Sequence, residues 1–271
     1  MRKNMEFDPA KQVLEIENFI KDYFVQNGTP TTKAVIGISG GKDSTVAAAL
    51  LVRALGPGRV VGVLMPQGKQ KDIDDSRQVC KILGIPSYEI NIESACSALY
   101  AAIDEAYDYD HCVKDNPAIA TNTPARIRMT TLYTIAAAVG GRVCNTGNAS
   151  EAFIGYTTKY GDLAGDFALL KNLTVREVYA IGDYLELPLS LVHKHPADGM
   201  SGKTDEDNTG IPYDAIDDYL LKDIYPEQKI YEKMMAAHKR NLHKRVIDLP
   251  APRRTCSYLR QTGEYGDDFS F

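Results

Sequence analysis

Apolar residues recur along this chain in two rhythms. Between Pro9 and Gln26, Val13, Leu14, Ile16, Phe19, Ile20, Tyr23 and Phe24 keep helical spacing, and Gly28 offers a stop. Ala34, Val35, Ile36 and Ile38 instead form a short apolar run, the mark of a strand covered on both faces. The run breaks at Ser39-Gly40-Gly41. From Lys42 the pattern is helical again through Thr45, Val46, three alanines, Leu50 and Leu51, as far as Gly56-Pro57-Gly58. Arg59–Met65 reads as a second buried strand, Lys69–Asp75 as polar loop and Ser76–Leu83 as a helix closed by Gly84. Ser87–Ile92 reads as a third strand. Helices over Ser94–Tyr107 and from Pro124 through Val139 flank a polar connection at Tyr109–Asn122. Gly140-Gly141 leads into a fourth strand, Arg142–Asn145, and a loop, Thr146–Ser150.

Strands and helices thus alternate at intervals of roughly 25–30 residues, which predicts βαβ units. The expected fold class is α/β: a doubly wound parallel sheet flanked by helices. Ligands of such sheets bind beyond the carboxyl ends of the strands. After Gly155 the alternation fades. A Gly/Asp-rich stretch (Tyr160-Gly161-Asp162, Gly165-Asp166) precedes a helix over Thr174–Leu185. His195–Pro212 is polar and reads as a loop. Helices over Tyr213–Leu221 and Glu227–Leu242 follow, then a Pro/Arg-rich tail that ends in the acidic, aromatic stretch Gly263–Phe271.

The junction at Gly37–Ser44 is where chemistry enters. A strand, a glycine turn and a helix N-terminus present free N–H groups and a positive dipole end, so the junction binds anions. Gly40 and Gly41 permit positive φ and close approach of backbone to ligand. Ser39 and Ser44 add hydroxyls, and Lys42 adds a charge. Asp43 is the odd member: a carboxylate inside a phosphate cradle needs a divalent cation between the two, which implies Mg²⁺. A Walker A loop is excluded, because its first glycine and its Ser/Thr after the lysine are replaced by Ile36 and Asp43. The G-x-G-x-x-G dinucleotide pattern is absent too. Ser-Gly-Gly-Lys-Asp-Ser resembles the pyrophosphate loop of adenylating ATP pyrophosphatases, which cleave ATP between the α and β phosphates and activate a carboxylate or amide oxygen with AMP.

Composition narrows the reading further. The 271 residues suit one large domain. A hydrophobic share of 44% supplies a core, and a net charge of −5 argues against a nucleic-acid partner. No run reaches membrane-spanning length, and the first residues lack a signal core. Five cysteines, odd in number and without C-x-x-C spacing, read as reduced thiols of a cytoplasmic protein. Glu151 follows a strand end and can face the same crevice as Asp43, so the pair can hold one Mg²⁺. Arg126 and Arg128, two apart on a helix, point to different faces, one for structure and one for an anion. Lys159 and Asp166 lie in a glycine-rich loop, a setting that favours ligand contact. His193 and His195 form an H-x-H pair without an evident third ligand.

Several motifs in order resemble the ammonia-dependent NAD⁺ synthetases: Gly37–Ser44, Ala125-Arg126-Ile127-Arg128-Met129, Thr146-Gly147-Asn148-Ala149-Ser150-Glu151, Thr158-Lys159-Tyr160-Gly161-Asp162, Asp205-Glu206-Asp207 and His243-Lys244-Arg245. The resemblance implies an adenine nucleotide alpha hydrolase-like fold. It implies amidation of deamido-NAD⁺ by ammonia, with ATP as co-substrate and Mg²⁺ as cofactor, through an acyl-adenylate to NAD⁺, AMP and pyrophosphate. It assigns Gly37, Ile38, Ser39, Gly40, Gly41, Lys42, Asp43, Ser44 and Thr146 to ATP. Lys42 and Asp43 become the catalytic residues, and Asp43 and Glu151 the metal ligands. Arg126, Lys159, Asp166, His243 and Lys244 are assigned to deamido-NAD⁺, and a homodimer is implied. Two positions depart from the pattern. Val175 stands where a lysine binds ATP in similar enzymes, and Ala197 where a Ser or Thr does; Arg176 or Lys203 are the compensating candidates.

Only 33 residues precede Ala34, too few for an ammonia-releasing glutaminase domain, so free ammonia is the expected nitrogen source. Two rival readings stand beside this one. A tRNA-modifying enzyme with the same loop would call for a basic face and paired cysteines. A non-catalytic adenine-nucleotide sensor would have no need of two acidic metal candidates.

Overall fold

The computed structural model describes residues 7–70, 72–106, 115–193 and 205–245. Helix α1 (Pro9–Gln26) starts at Asp8, whose side chain accepts from the Lys11 N–H, with Pro9 in the first turn. Strand β1 (Lys33–Gly37) follows, then α2 (Lys42–Leu55), β2 (Val60–Leu64), α3 (Ile73–Leu83), β3 (Ser87–Glu89) and α4 (Glu93–Ala106). Next come α5 (Pro117–Val139), β4 (Gly141–Asn145), α6 (Ala149–Ile154) and β5 (Phe167–Ala168). Helices α7 (Val175–Tyr184), α8 (Leu189–Val192), α9 (Asp205–Thr209), α10 (Tyr213–Lys222) and α11 (Gln228–Asn241) complete the order.

All strand pairs are parallel, and the sheet runs β3-β2-β1-β4-β5. The chain therefore winds outward from β1 in both directions, and the direction reverses between β1 and β4. That switch point opens a crevice at the strands' carboxyl ends. Alternate residues of β1 go to opposite layers. Ala34 and Ile36 join α1, α2 and α7 in the larger core, whereas Val35 packs with Val61, Val63, Val143 and α5. A separate apolar cluster joins α6 to α10 and α11 through Phe153, Ile154, Ile216, Tyr219, Leu220 and Met234.

Most elements stand where the apolar pattern puts them, with several differences: β3 ends at Glu89 rather than Ile92, and α8 follows Pro188 where no element is expected. Helix α5 starts at Pro117, seven residues before Pro124. Asn116 caps it by accepting from the Ala118 N–H, and Pro124 is carried inside the helix. Both prolines signal a start, and Asn-Pro supplies the cap as well. Residues 149 and 150, expected in a loop, open α6. Strand β5 has only two residues, too short for a periodicity to show. Asp205–Thr209 is helical inside the expected polar loop. Ala197, Lys203, His195 and the Gly263–Phe271 stretch lie outside the described residues.

A buried polar joint ties three of these helices together. Ser150 Oγ donates to Asp217 Oδ1 (2.5 Å) and accepts from the Val175 N–H (3.1 Å). Asp217 Oδ2 accepts from the Arg176 N–H at 2.8 Å. The first N–H groups of α7 are thus satisfied from α6 and α10. Burial pushes the Asp217 carboxyl up to about 6, against the pull of its Ser150 and Arg176 hydrogen bonds. Between the ordinary aspartate value and that one, the folded chain holds a proton the unfolded chain has lost, so this group's contribution to stability falls as pH rises through the window. The variant Asp217→Asn does not titrate there. Its stability deficit against the native chain, measured by denaturant unfolding, is expected to shrink by about 2 kcal/mol between about pH 4.5 and pH 7. A deficit independent of pH would show that Asp217 is ionised throughout.

Candidate active site

The loop after β1 is built from two constraints. The Ile38 N–H continues the ladder onto Val63 O at 3.0 Å, so the chain leaves the sheet only at Ser39. Gly40 then takes φ +79°, and a Cβ there would stand 2.8 Å from Asp75 Cβ and 2.9 Å from Ser76 N. The loop is pressed against the first turns of α3, and only glycine fits. Gly41 differs from expectation: its φ is −89° with ψ 170°, an extended conformation open to any residue. It caps α2 without a side-chain hydrogen bond, and a Cβ there would meet only Ser39 Oγ within 4 Å, at 3.5 Å. What Gly41 contributes is an uncrowded helix N-terminus rather than a special angle.

Hydroxyls brace this loop internally. Ser39 Oγ accepts from the Gly41 N–H (3.3 Å) and lies 3.1 Å from Ser44 Oγ, which in turn donates to Gly41 O at 3.1 Å. Thr45 Oγ1 donates to the same carbonyl at 2.8 Å.

Lys42 opens α2 and is only 4% exposed. Its Nζ donates to Asp43 Oδ2 at 2.7 Å and stands 5.9 Å and 5.8 Å from the ring centroids of Tyr179 and Tyr213. Burial by itself would lower the Lys42 pKa. The Asp43 carboxylate, and after it that of Glu151, more than reverse this, so the net shift is upward and the ammonium stays charged. One buried cation therefore feels both acidic residues.

Asn148 is the residue that joins those two carboxylates. It caps α6, where its Oδ1 accepts from the Glu151 N–H (3.0 Å) and Glu151 Oε2 accepts from the Asn148 N–H (3.2 Å). Its Nδ2 crosses to Asp43 Oδ1 at 3.1 Å. The cap was legible as Asn-x-x-Glu; the bond to Asp43, 105 positions away, had no signal. Tyr179 and Tyr213 were likewise missed, since an aromatic side chain on a helix reads first as core. Among the described residues no group of three or more His, Cys, Asp or Glu could hold a metal. Two carboxylates at separate strand ends are an all-oxygen pair of the kind Mg²⁺ takes together with substrate phosphates. The residues present fit that ion.

Thr146 is half-buried just beyond β4, in a turn where Asn145 Oδ1 accepts from the Gly147 N–H at 2.9 Å. The other predicted residues fall into a second group. Arg128 Nε donates to Met65 O (3.1 Å), and burial lowers its pKa. Arg126 is exposed, and its Nε donates to Lys159 O at 3.3 Å. The two guanidinium groups thus divide as their spacing suggests. Lys159 Nζ donates to His243 O (2.8 Å), and Lys244 Nζ returns the link by donating to Gly155 O (2.8 Å) and Thr157 O (2.7 Å). Arg126, Lys159, His243 and Lys244 are therefore brought together.

Asp166 stands apart from them. Its Oδ2 accepts from the Val143 N–H at 2.7 Å and its Oδ1 from the Tyr133 hydroxyl at 3.3 Å. This carboxylate ties the β4–β5 edge to α5. Arg176, one candidate to replace the missing lysine, is occupied elsewhere. Its guanidinium meets Asp218 (2.7 Å) and Asp214 (3.2 Å) on α10. Val175 is buried in the α6–α10–α11 cluster. His193 pairs through Nε2 with Asp183 (2.7 Å) and stacks on Tyr179.

Comparisons with known proteins identify the family. Residues 12–252 match the NAD synthase family. An NH(3)-dependent NAD(+) synthetase of Alkaliphilus metalliredigens is 38% identical over 247 residues, covering 88% of this chain and 96% of the relative. The solved NMN synthetase of Francisella tularensis superposes with a TM-score of 0.80 at 33% identity, covering 90% of this chain and 98% of that one. The NH3-dependent NAD synthetase of Campylobacter jejuni gives a TM-score of 0.69 at 27% identity, with 90% and 98% covered. A family match that spans residues 12–252, with 38% identity over most of both chains, shows that the chain belongs to the NAD synthase family.

Proposed function

We propose that this chain forms the amide of NAD⁺ from deamido-NAD⁺, ammonia and ATP, acting as a carbon–nitrogen ligase. The observation that carries the reading is the Lys42–Asp43–Asn148–Glu151 constellation at the switch point. In this proposal the triphosphate lies over the first turn of α2, where N–H groups receive it. A nicotinate carboxylate oxygen attacks the α-phosphorus and the bond to the bridging oxygen of the β-phosphate breaks. Pyrophosphate leaves with its growing charge met by the loop N–H groups and Lys42. Ammonia then adds to the carbonyl carbon of the acyl-adenylate, AMP departs with the bonding pair, and the added nitrogen loses a proton. Mg²⁺ held by Asp43 and Glu151 would neutralise phosphate charge during the first step. No protein nucleophile takes part; catalysis comes from positioning and from charges already in place.

Arg126, Lys159, His243 and Lys244 receive the anionic second substrate, and Asp166 enters as the tie between β4 and the helix that carries Arg126. Thr146 contacts ATP from the β4 side. Free ammonia is the nitrogen source. Two identical chains make up the active form, in a cytoplasmic setting supported by the free, buried Cys80, Cys96 and Cys144. The dimer is supported by α4, which leaves Ala95, Ala98, Leu99, Ala101 and Ala102 exposed, an apolar stripe fit for a second copy.

A second reading concerns the size of the substrate. The Francisella tularensis relative is an NMN synthetase, so the mononucleotide with the same nicotinate carboxylate is the rival to the dinucleotide.

AMP release that requires both deamido-NAD⁺ and ammonium is expected; release of ADP and phosphate would overturn the adenylation. Turnover with nicotinate mononucleotide at a higher kcat/KM than with deamido-NAD⁺ would shift the assignment to the smaller substrate. Lys42→Ala is expected to lower kcat by about 10²–10³, and Asp43→Asn to abolish most of the Mg²⁺-dependent rate. Near-native turnover of either variant would remove that residue from the mechanism. Light scattering is expected to give a dimer for the native chain and a monomer for the double variant Leu99→Glu, Ala102→Glu. A native monomer, or a double variant that still dimerises, would move the interface elsewhere.

A further inference from the structure

Helix α6 has six residues, fewer than two turns, and cannot hold its own conformation or place. Yet its first turn carries Asn148 and Glu151, the two residues that meet Asp43 and Lys42. Something must hold its other end. The last carbonyls of a helix have no partners within it, and here they are met by consecutive turns of one other element. His238 Nδ1 lies 2.9 Å from Phe153 O, so this nitrogen carries the proton and donates. Asn241 Nδ2 donates to Ile154 O, also at 2.9 Å. Beyond the end of α11, Lys244 Nζ donates to Gly155 O at 2.8 Å and Thr157 O at 2.7 Å. In return Lys159 reaches His243 O.

The fit is close. Gly155 ends α6 at φ +68°, and a Cβ there would stand 2.1 Å from Asn241 Cβ. The His238 ring lies 4.4 Å, centroid to centroid, from that of Phe153, and His238 is 4% exposed. Residues at 238, 241 and 244 recur at a spacing of three, so one face of α11 and its continuation reads the end of α6 like a row of fingers.

We propose that His238 and Asn241 are positioning residues for Glu151. They hold α6 by its carboxyl end and so set where Asn148 and Glu151 stand relative to Asp43. Neither side chain touches substrate. Because Lys244 and Lys159 share the same junction, the second-substrate group is mechanically continuous with the metal carboxylates through α6. The inference rests on Asp43 and Glu151 holding Mg²⁺, and its test separates the two claims.

The test follows thermal stabilisation by Mg²⁺ in the presence of an ATP analogue that cannot be cleaved between the α and β phosphates. The chains compared are the native one, Asn241→Ala, Glu151→Gln and the double variant, with Asn241→Asp as a near-isosteric second probe that lacks the donor. The expected result is an increase of about tenfold in the Mg²⁺ concentration for half-maximal stabilisation by Asn241→Ala. On the Glu151→Gln background the same change should add nothing, because the route to the metal is already cut. A full additional shift on that background would overturn the inference. So would a native Mg²⁺ dependence in both Asn241 variants alongside a shifted Glu151→Gln. Native Mg²⁺ dependence in Glu151→Gln itself would overturn the metal assignment, and the inference with it.

Discussion

A buried ammonium must have its charge met, and Lys42 sets that condition for the site. Its side chain is 4% exposed, so little water is left to solvate it. Asp43 supplies the nearest carboxylate from the next residue along α2, and Glu151 adds a second across the crevice. The arrangement works only if both carboxylates are held still. Asn148 does this for both at once, donating from its amide to Asp43 and from its backbone to Glu151. Removing a partner from such a group costs more than the group's net contribution, because a desolvated charge is left behind.

The C-terminal helices extend this constraint outward. α10 contributes Asp217, which through Ser150 secures the start of α7. α11 grips the carboxyl end of α6. The single sheet, covered on both faces, provides the crevice, but the acidic residue on its far side stands on a helix, α6, beneath which a separate small core of Phe153, Ile216, Tyr219 and Met234 packs. Burial and polar bonding are complementary here: the apolar cluster supplies cohesion, and the directional bonds select one orientation.

Much of this was legible locally. β1 and β2 announce themselves as apolar runs because both faces of the sheet are covered. Gly40 was readable as the turn residue, although its reason is double: a left-handed φ and the pressure of α3 behind it. Gly41 looked equivalent and is not, since sequence gives no φ. Pro124 masked the true start of α5 at Asn116-Pro117, because proline punctuates a chain equally well in the first turn and at a tolerated interior site. Arg176 offered a charge in the right stretch, but its partners Asp214 and Asp218 lie on α10 and could not be known in advance. Asp166 presented the same ambiguity. A loop carboxylate and a strand tie are the same letter, and the Val143 and Tyr133 donors that decide between them come from other elements.

Sequence alone determined the alternation of strand and helix, the glycine bend with its lysine and aspartate, and the order of motifs that identifies the family. Each is encoded in neighbours a few positions apart, where periodicity, turn chemistry and helix capping act. Tertiary structure decided which carboxylate faces which cation, which arginine is structural and what holds α6 in place. Those outcomes depend on contacts between residues such as Asp43 and Asn148, 105 positions apart. Such contacts form only when burial makes an unpaired charge or carbonyl too costly to leave unmet.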